Sequence, residues 1–149
     1  NLNRWRAATE MERSAGIAIC DTDPLKLHYI WGLWKIGEAR EIDWRLELAA
    51  TRAAFKREEI GFADLYYVEL TDIAVARQRM DEDKSRSRRN FELHARLQPP
   101  LIAWYEALNV VLPGRVFFSF PDAAPDGGLH HAGRGRYDIA AFDDFVARL

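Results

Sequence analysis

Apolar residues recur at helical spacing in several stretches of the chain, and glycine or proline separates one stretch from the next. Each stretch keeps its apolar residues near one face, which is typical of helices that pack against a core. The pattern predicts helices over 2–14, 24–36, 43–58 and 138–149, a helix after Asp72, and a helix around 101–108. Between 77 and 97 it predicts an arginine-rich hairpin or long helix, which Pro99-Pro100 interrupts.

Three other stretches have the composition of strands. Ile17–Cys20 is a short apolar run, Ala63–Leu70 is rich in aromatic and β-branched residues, and Arg115–Phe120 follows the turn at Pro113-Gly114. Strands that alternate with helices are typical of α/β domains with a mainly parallel sheet. We therefore predict one domain over 1–149, built as a three-layer α/β sandwich.

Composition and charge narrow the function classes. The chain has 149 residues and a net charge of −2, so its overall charge favours neither nucleic acid nor an anionic membrane as a partner. The single cysteine, Cys20, excludes an internal disulfide and agrees with a reducing, cytoplasmic location. No apolar run is long enough to span a bilayer, so no membrane partner is expected.

Two carboxylates, Asp21 and Asp23, follow the first predicted strand. Ligands of parallel sheets bind beyond the carboxyl ends of the strands, and Mg²⁺ prefers carboxylate oxygens. The pair could hold a metal, or one carboxylate could accept a proton from an attacking hydroxyl. In the structural alternative, Asp23 caps the next helix and Asp21 ends the strand.

Arginines are dense between 77 and 89, and their guanidinium groups match phosphate oxygens at any working pH. Ion pairs with acids four residues away, such as Arg77 with Asp81, would account for the first two on a solvated helix. We favour phosphate binding for the remaining three. The five residues are Arg77, Arg79, Arg86, Arg88 and Arg89.

The segment 121–137 holds prolines, glycines and the pair His130-His131, which predicts a loop. The two histidines have no third metal ligand at a recognisable spacing, so we interpret them as loop residues. Gly133-Arg-Gly-Arg136 could meet a phosphate through backbone N–H groups, but the pattern is short and common.

The run Ile19–Leu25 resembles the second-motif strand of P-loop NTPases, closest to AAA-like small-molecule kinases of the nicotinamide-riboside-kinase type. Phe62–Leu70 resembles the next core strand of that family, and 86–91 resembles its arginine lid. The resemblance implies that Asp21 and Asp23 serve Mg²⁺ and the phosphoryl acceptor. It also implies that 77–98 is a lid whose Arg79, Arg86, Arg88 and Arg89 close over the phosphates of ATP or GTP.

One part of that family is missing from the chain. None of the nine glycines belongs to the phosphate loop Gly-x-x-x-x-Gly-Lys-Ser/Thr, or Walker A motif. The predicted sheet accordingly lacks its first strand, which would leave a slot with unpaired backbone groups on both sides. Either upstream sequence or another chain would have to fill that slot.

The resulting expectation is ATP-dependent phosphoryl transfer with Mg²⁺ to a small acceptor such as a nucleoside, by an enzyme that is a kinase or ATPase when complete. Trp31, Trp34 and Trp44 could stack on the acceptor or form core. The alternative is a non-catalytic module that binds nucleotide or a protein partner, with a degenerate or partner-completed fold. A homo-oligomer is compatible with either hypothesis. Nucleic-acid binding by the arginines is not expected, because the arginine stretch has no interleaved aromatic residues.

Overall fold

The computed structural model describes residues 1–82, 90–120, 133 and 135–149. The segments 83–89 and 121–132 and residue 134 lie outside the described residues. The described chain forms six helices and two strands of two residues each. In chain order they are α1 Leu2–Ala15, α2 Leu27–Lys35, α3 Glu41–Lys56, β1 Tyr66–Tyr67, α4 Ile73–Glu82, α5 Phe91–Val111, β2 Val116–Phe117 and α6 Ile139–Ala147.

Local sequence explains where several helices begin and end. Helix α1 ends at Gly16, whose φ of 79° is easy for glycine and whose N–H donates to the Glu12 carbonyl oxygen. Asp72 accepts hydrogen bonds from the amides of Ala74 and Val75, which confirms the predicted cap of α4. The Asp138 carboxylate caps α6 in the same way.

Helix α5 contradicts the predicted interruption at Pro99-Pro100, because it runs through both prolines. Proline lacks the N–H that an inner helical position donates, so this continuity must come from packing. Helix α5 packs closely on α2 where Gly32 meets Leu97 and Pro100. A Cβ built on Gly32 would lie 3.0 Å from a Leu97 methyl carbon and 3.7 Å from Pro100 Cγ.

The core lies among α2, α3, α5 and α6, which pack against one another. Trp104 is fully buried, and its ring centroid lies 4.7 Å from that of Phe145. Trp31 and Trp44 are buried against Trp104 and belong to the core, whereas Trp34 is partly buried and stacks on Trp44. Phe55 of α3 packs against Phe142 of α6, with ring centroids 4.8 Å apart and ring planes tilted by 38°.

The sheet is a single parallel pair, with Tyr66 opposite Val116 and Tyr67 opposite Phe117. The prediction of a three-layer α/β sandwich is therefore wrong. Only two residues each of the predicted strands 63–70 and 115–120 join the ladder, and Ile17–Cys20 forms no strand. Two strands of two residues cannot form a middle layer between helices, and most of the apolar surface is buried by helix–helix contacts instead.

The P-loop kinase resemblance fails for the same reason. That fold needs a parallel sheet of several strands with helices on both faces, and the described residues form a mainly helical structure. The apolar run before Asp21 suited a buried strand, but Ile19 is 83% exposed here. Composition favoured a strand at this run, and no neighbouring strand among the described residues pairs with it.

None of the described helices is both long and apolar enough to cross a membrane.

Candidate functional site

The two predicted metal ligands lie in different environments. Asp21 is exposed, whereas the side chain of Asp23 is only 1% exposed. Asp23 Oδ1 accepts a hydrogen bond of 2.9 Å from the Leu25 amide, and the Tyr105 hydroxyl donates to Oδ2 at 3.4 Å. The structural alternative, in which Asp23 caps the next helix, is wrong, because the N-cap of α2 is Lys26 and no described side chain bonds the first turn there. The Asp23 carboxylate instead orders the turn before α2 through its bond to the Leu25 amide. The metal-binding and catalytic roles of Asp21 and Asp23 stay predictions from the sequence.

Burial controls the ionisation of the groups around Asp23. It raises the pKa of Asp23 to about 6, although the Leu25 amide and the Tyr105 hydroxyl oppose the shift. Burial, helped by the charge of Lys26, lowers the pKa of His28 to about 4. Asp23 Oδ2 and His28 Nδ1 are 3.9 Å apart. Because burial disfavours both charged forms, the neutral imidazole and the carboxylate do not form a strong ion pair at neutral pH.

This cluster is closed to solvent on several sides. His28 packs against the rings of Trp104 and Tyr105, and Tyr66 packs against Tyr105. Burial raises the pKa of Tyr105 and of Tyr66, and the nearby Asp23 carboxylate adds to both shifts. The arrangement joins α2, α5 and β1 and leaves the carboxylate out of reach of a dissolved ligand.

The predicted lid residues are only partly described. Arg86, Arg88 and Arg89 lie outside the described residues, and Arg79 is an exposed residue of α4. Arg77, for which an ion pair with Asp81 was considered, instead bonds Glu92 at 2.8 Å and lies over the Phe91 ring. Of the predicted phosphate-binding residues, the structure therefore describes Arg79 alone, and the role of the other three stays a prediction from the sequence.

Sequence reasoning missed the ion cluster around Arg136. Its guanidinium binds the Glu12 carboxylate with contacts of 2.8 and 2.9 Å and also binds the Asp64 carboxylate. The hydrogen bond to Arg136 lowers the pKa of Glu12, and the Glu12 bond raises the pKa of Arg136. The Gly133 amide donates to Asp64. Within the described part of this segment, the Gly133 amide and the Arg136 guanidinium thus bond carboxylates of the chain itself.

A shallow cavity of about 380 Å³ adjoins this cluster. Its lining mixes both signs of charge, since it includes Arg13 and Arg136 together with Glu12. In the part of the chain that the structure describes, no group of three or more histidine, cysteine or acidic side chains is arranged to hold a metal ion.

The parallel pair has one buried face and one exposed face. Tyr66, Val68 and Val116 point into the core. On the other face the Tyr67 ring stacks on Phe117 and Phe120, with centroid distances of 5.6 and 5.8 Å. We call Tyr67, Phe117 and Phe120 the aromatic face. The sequence signal was the β-branched and aromatic content of 115–120, which predicted a third strand.

The aromatic face is open to solvent. Phe117 is 42% exposed and Phe120 is 65% exposed. Parallel strands are normally covered on both faces, usually by helices of the same chain. The helices of the described chain cover only the inner face of this pair.

Comparison of the chain with protein-family models, with curated proteins and with solved structures finds no match, so no family supports the P-loop resemblance.

Proposed function

We propose that this chain is a non-catalytic module that binds a protein partner through the aromatic face. The observation that carries the proposal is the exposed stack of Tyr67 and Phe117, on the parallel strand pair, with Phe120, which follows β2. Aromatic residues are enriched in protein interfaces, and exposed clusters of large apolar side chains commonly mark interaction sites.

The free energy available at this face is substantial for a small contact. Phenylalanine buries roughly 200 Å² when it is fully covered, so the exposed fractions of Phe117 and Phe120 amount to about 200 Å² together. Covering that area would contribute about 5 kcal/mol before the costs of association. This gain is close to the lower end of the cost of association, about 4 kcal/mol, so a partner must make further contacts beside the two rings.

Two features support a binding module over phosphoryl transfer. The Asp23 carboxylate is buried, and the Arg136 guanidinium already binds the carboxylates of Glu12 and Asp64. Transfer of a phosphoryl group from ATP or GTP to a small acceptor with Mg²⁺ stays a prediction from the sequence.

A photo-crosslinking amino acid placed at Phe120 tests the proposal in cells that make the protein. The matched control carries the same group at Leu46, which is similarly exposed on α3. We expect a discrete crosslinked partner at Phe120 and none at Leu46. Identical crosslinking patterns at the two positions would contradict the proposal.

Titration calorimetry with ATP and Mg²⁺ tests the hypothesis of phosphoryl transfer in parallel. Saturable nucleotide binding by the purified chain would restore phosphoryl transfer as the better hypothesis. A flat titration, together with crosslinking confined to Phe120, is the result we expect.

A further inference from the structure

The edge of β1 that faces away from β2 has unpaired backbone groups. The amides of Tyr66 and Val68 donate to carbonyl oxygens of Arg115 and Phe117, at 2.7 and 2.8 Å. Successive residues of a strand direct their N–H and C=O groups to opposite edges, so those of Tyr67 point away from β2. Among the described residues, none pairs with the Tyr67 amide or carbonyl. We call this side the free edge.

The side-chain pattern beside the free edge combines an apolar ring with a negative charge. Beyond the end of β1 the Val68 amide still bonds Phe117, and Val68 is buried whereas Glu69 is exposed. Because residues two apart in an extended chain share a face, this places Glu69 after Tyr67 on the side of the aromatic face. Glu69 is exposed and makes no ion pair with any other described residue. A partner segment at this edge would meet first an aromatic ring and then an unpaired carboxylate.

The size of the surface favours a short segment over a second globular surface. The exposed parts of Phe117 and Phe120 total about 200 Å², whereas a stable interface between two folded proteins buries about 800 Å² on each partner. An extended segment needs less area, because its main chain adds hydrogen bonds along the strand edge.

We propose that the partner supplies an extended segment that pairs with the free edge of β1. Its alternate apolar side chains extend the aromatic face beside Tyr67, and a lysine or arginine lies next to Glu69. This inference rests on the proposed function, since it specifies what occupies the same surface.

Selection from a display library of random short peptides provides the probe. The target is the whole chain, and the counter-target is the face variant Tyr67→Ser/Phe120→Ser. We expect enriched peptides in which apolar residues alternate and one position is basic. Glu69→Lys should shift the selected basic position to an acidic one. The control variant Leu46→Ser should select the same peptides as the unmodified chain, and circular dichroism should show that all variants keep their helix content.

Backbone methylation of one selected peptide then tests strand pairing directly. A methyl group on an amide that donates to β1 should weaken binding about fivefold for each lost hydrogen bond. Methylation at the intervening residues should leave the affinity unchanged. This period of two is the result that supports the inference.

Three outcomes would overturn it. Peptides that require the aromatic face but tolerate methylation at every position would remove strand pairing and leave the proposed function standing. A library that yields no binders sensitive to the face variant would also rule out strand pairing. Crosslinking at Phe120 would then test the proposed function separately. A concentration-dependent dimer in sedimentation that the face variant abolishes would assign the surface to a second copy instead.

Discussion

Aromatic residues are buried in the helical core but largely exposed on the outer side of the strand pair. In the core, the Trp104 ring is fully buried and contacts Phe145 and two other tryptophans. On the strand pair, Phe117 and Phe120 stack with Tyr67 but leave much of their surface in water. The same residue types thus stabilise the fold in one region and remain available in the other. The comparison indicates which substitutions should affect stability and which should affect binding.

Trp104→Ala should have the largest effect on stability, because it opens a cavity where helices α2, α3 and α5 meet. Truncation of a buried tryptophan typically costs about 3–5 kcal/mol. Urea unfolding followed by circular dichroism measures the loss. If Trp104→Ala lowered the free energy of unfolding no more than Phe120→Ser does, the division between core and binding face would be wrong.

The buried pair of Asp23 and His28 should make stability depend on pH in two opposing ways. The folded-state pKa of Asp23 is raised to about 6, so this residue alone makes the protein more stable as pH falls from 6 towards 4. The folded-state pKa of His28 is lowered to about 4, so this residue alone makes the protein less stable as pH falls from about 6.5 to 4. Each shift corresponds to about 3 kcal/mol, and in the intact chain the two largely cancel.

Single variants should break that cancellation. Asp23→Asn leaves the histidine contribution, so its stability relative to the unmodified chain should fall as pH is lowered through this window. His28→Gln leaves the aspartate contribution, so its relative stability should rise. Urea midpoints measured at several pH values distinguish the two slopes. Parallel pH profiles for all three proteins would show that the pair is not buried as described.

Arg136→Gln should have an intermediate effect, because it leaves Glu12 and Asp64 without their partner at a partly buried site. We expect a loss of about 2 kcal/mol, less than for a fully buried pair because solvent screens part of the charge. Arg52→Gln is the matched control, since Arg52 bonds Asp143 in a more exposed pair. Equal losses in thermal unfolding for both variants would mean that the Arg136 cluster is no stronger than a surface ion pair.

Phe120→Ser should have the smallest effect on stability, within about 0.5 kcal/mol of the unmodified chain, because the ring is mostly solvated already. The same change should weaken binding of a selected peptide. A variant that unfolds much more easily would assign Phe120 to the fold and remove the reason to expect a partner there.

Much of the helical content could be predicted from local signals. Three of these signals were predicted close to their observed positions: the end of α1 at Gly16, the cap of α4 at Asp72 and the start of the terminal helix after Asp138. These signals act within one turn of the chain, through a left-handed glycine or a side chain that bonds nearby amides. They need no knowledge of distant residues.

The sheet and the site could not be predicted in the same way. Strand formation at Ile17–Cys20 depends on a neighbouring strand, and apolar composition does not say whether one is present. The Arg136 cluster joins residues 124 and 72 positions apart, and such pairings leave no local pattern. The arginine stretch was locally conspicuous, yet Arg77 is explained by Glu92 at the start of another helix.

The sequence by itself determined the helix boundaries marked by caps and glycines, because those depend on interactions between near neighbours. Only the tertiary structure decided that α5 continues through two prolines, that Asp23 is buried while Asp21 is exposed, and that the aromatic face is open to water. Each of these depends on which distant surfaces meet, since packing against another element can outweigh local propensity and determines whether a side chain is desolvated.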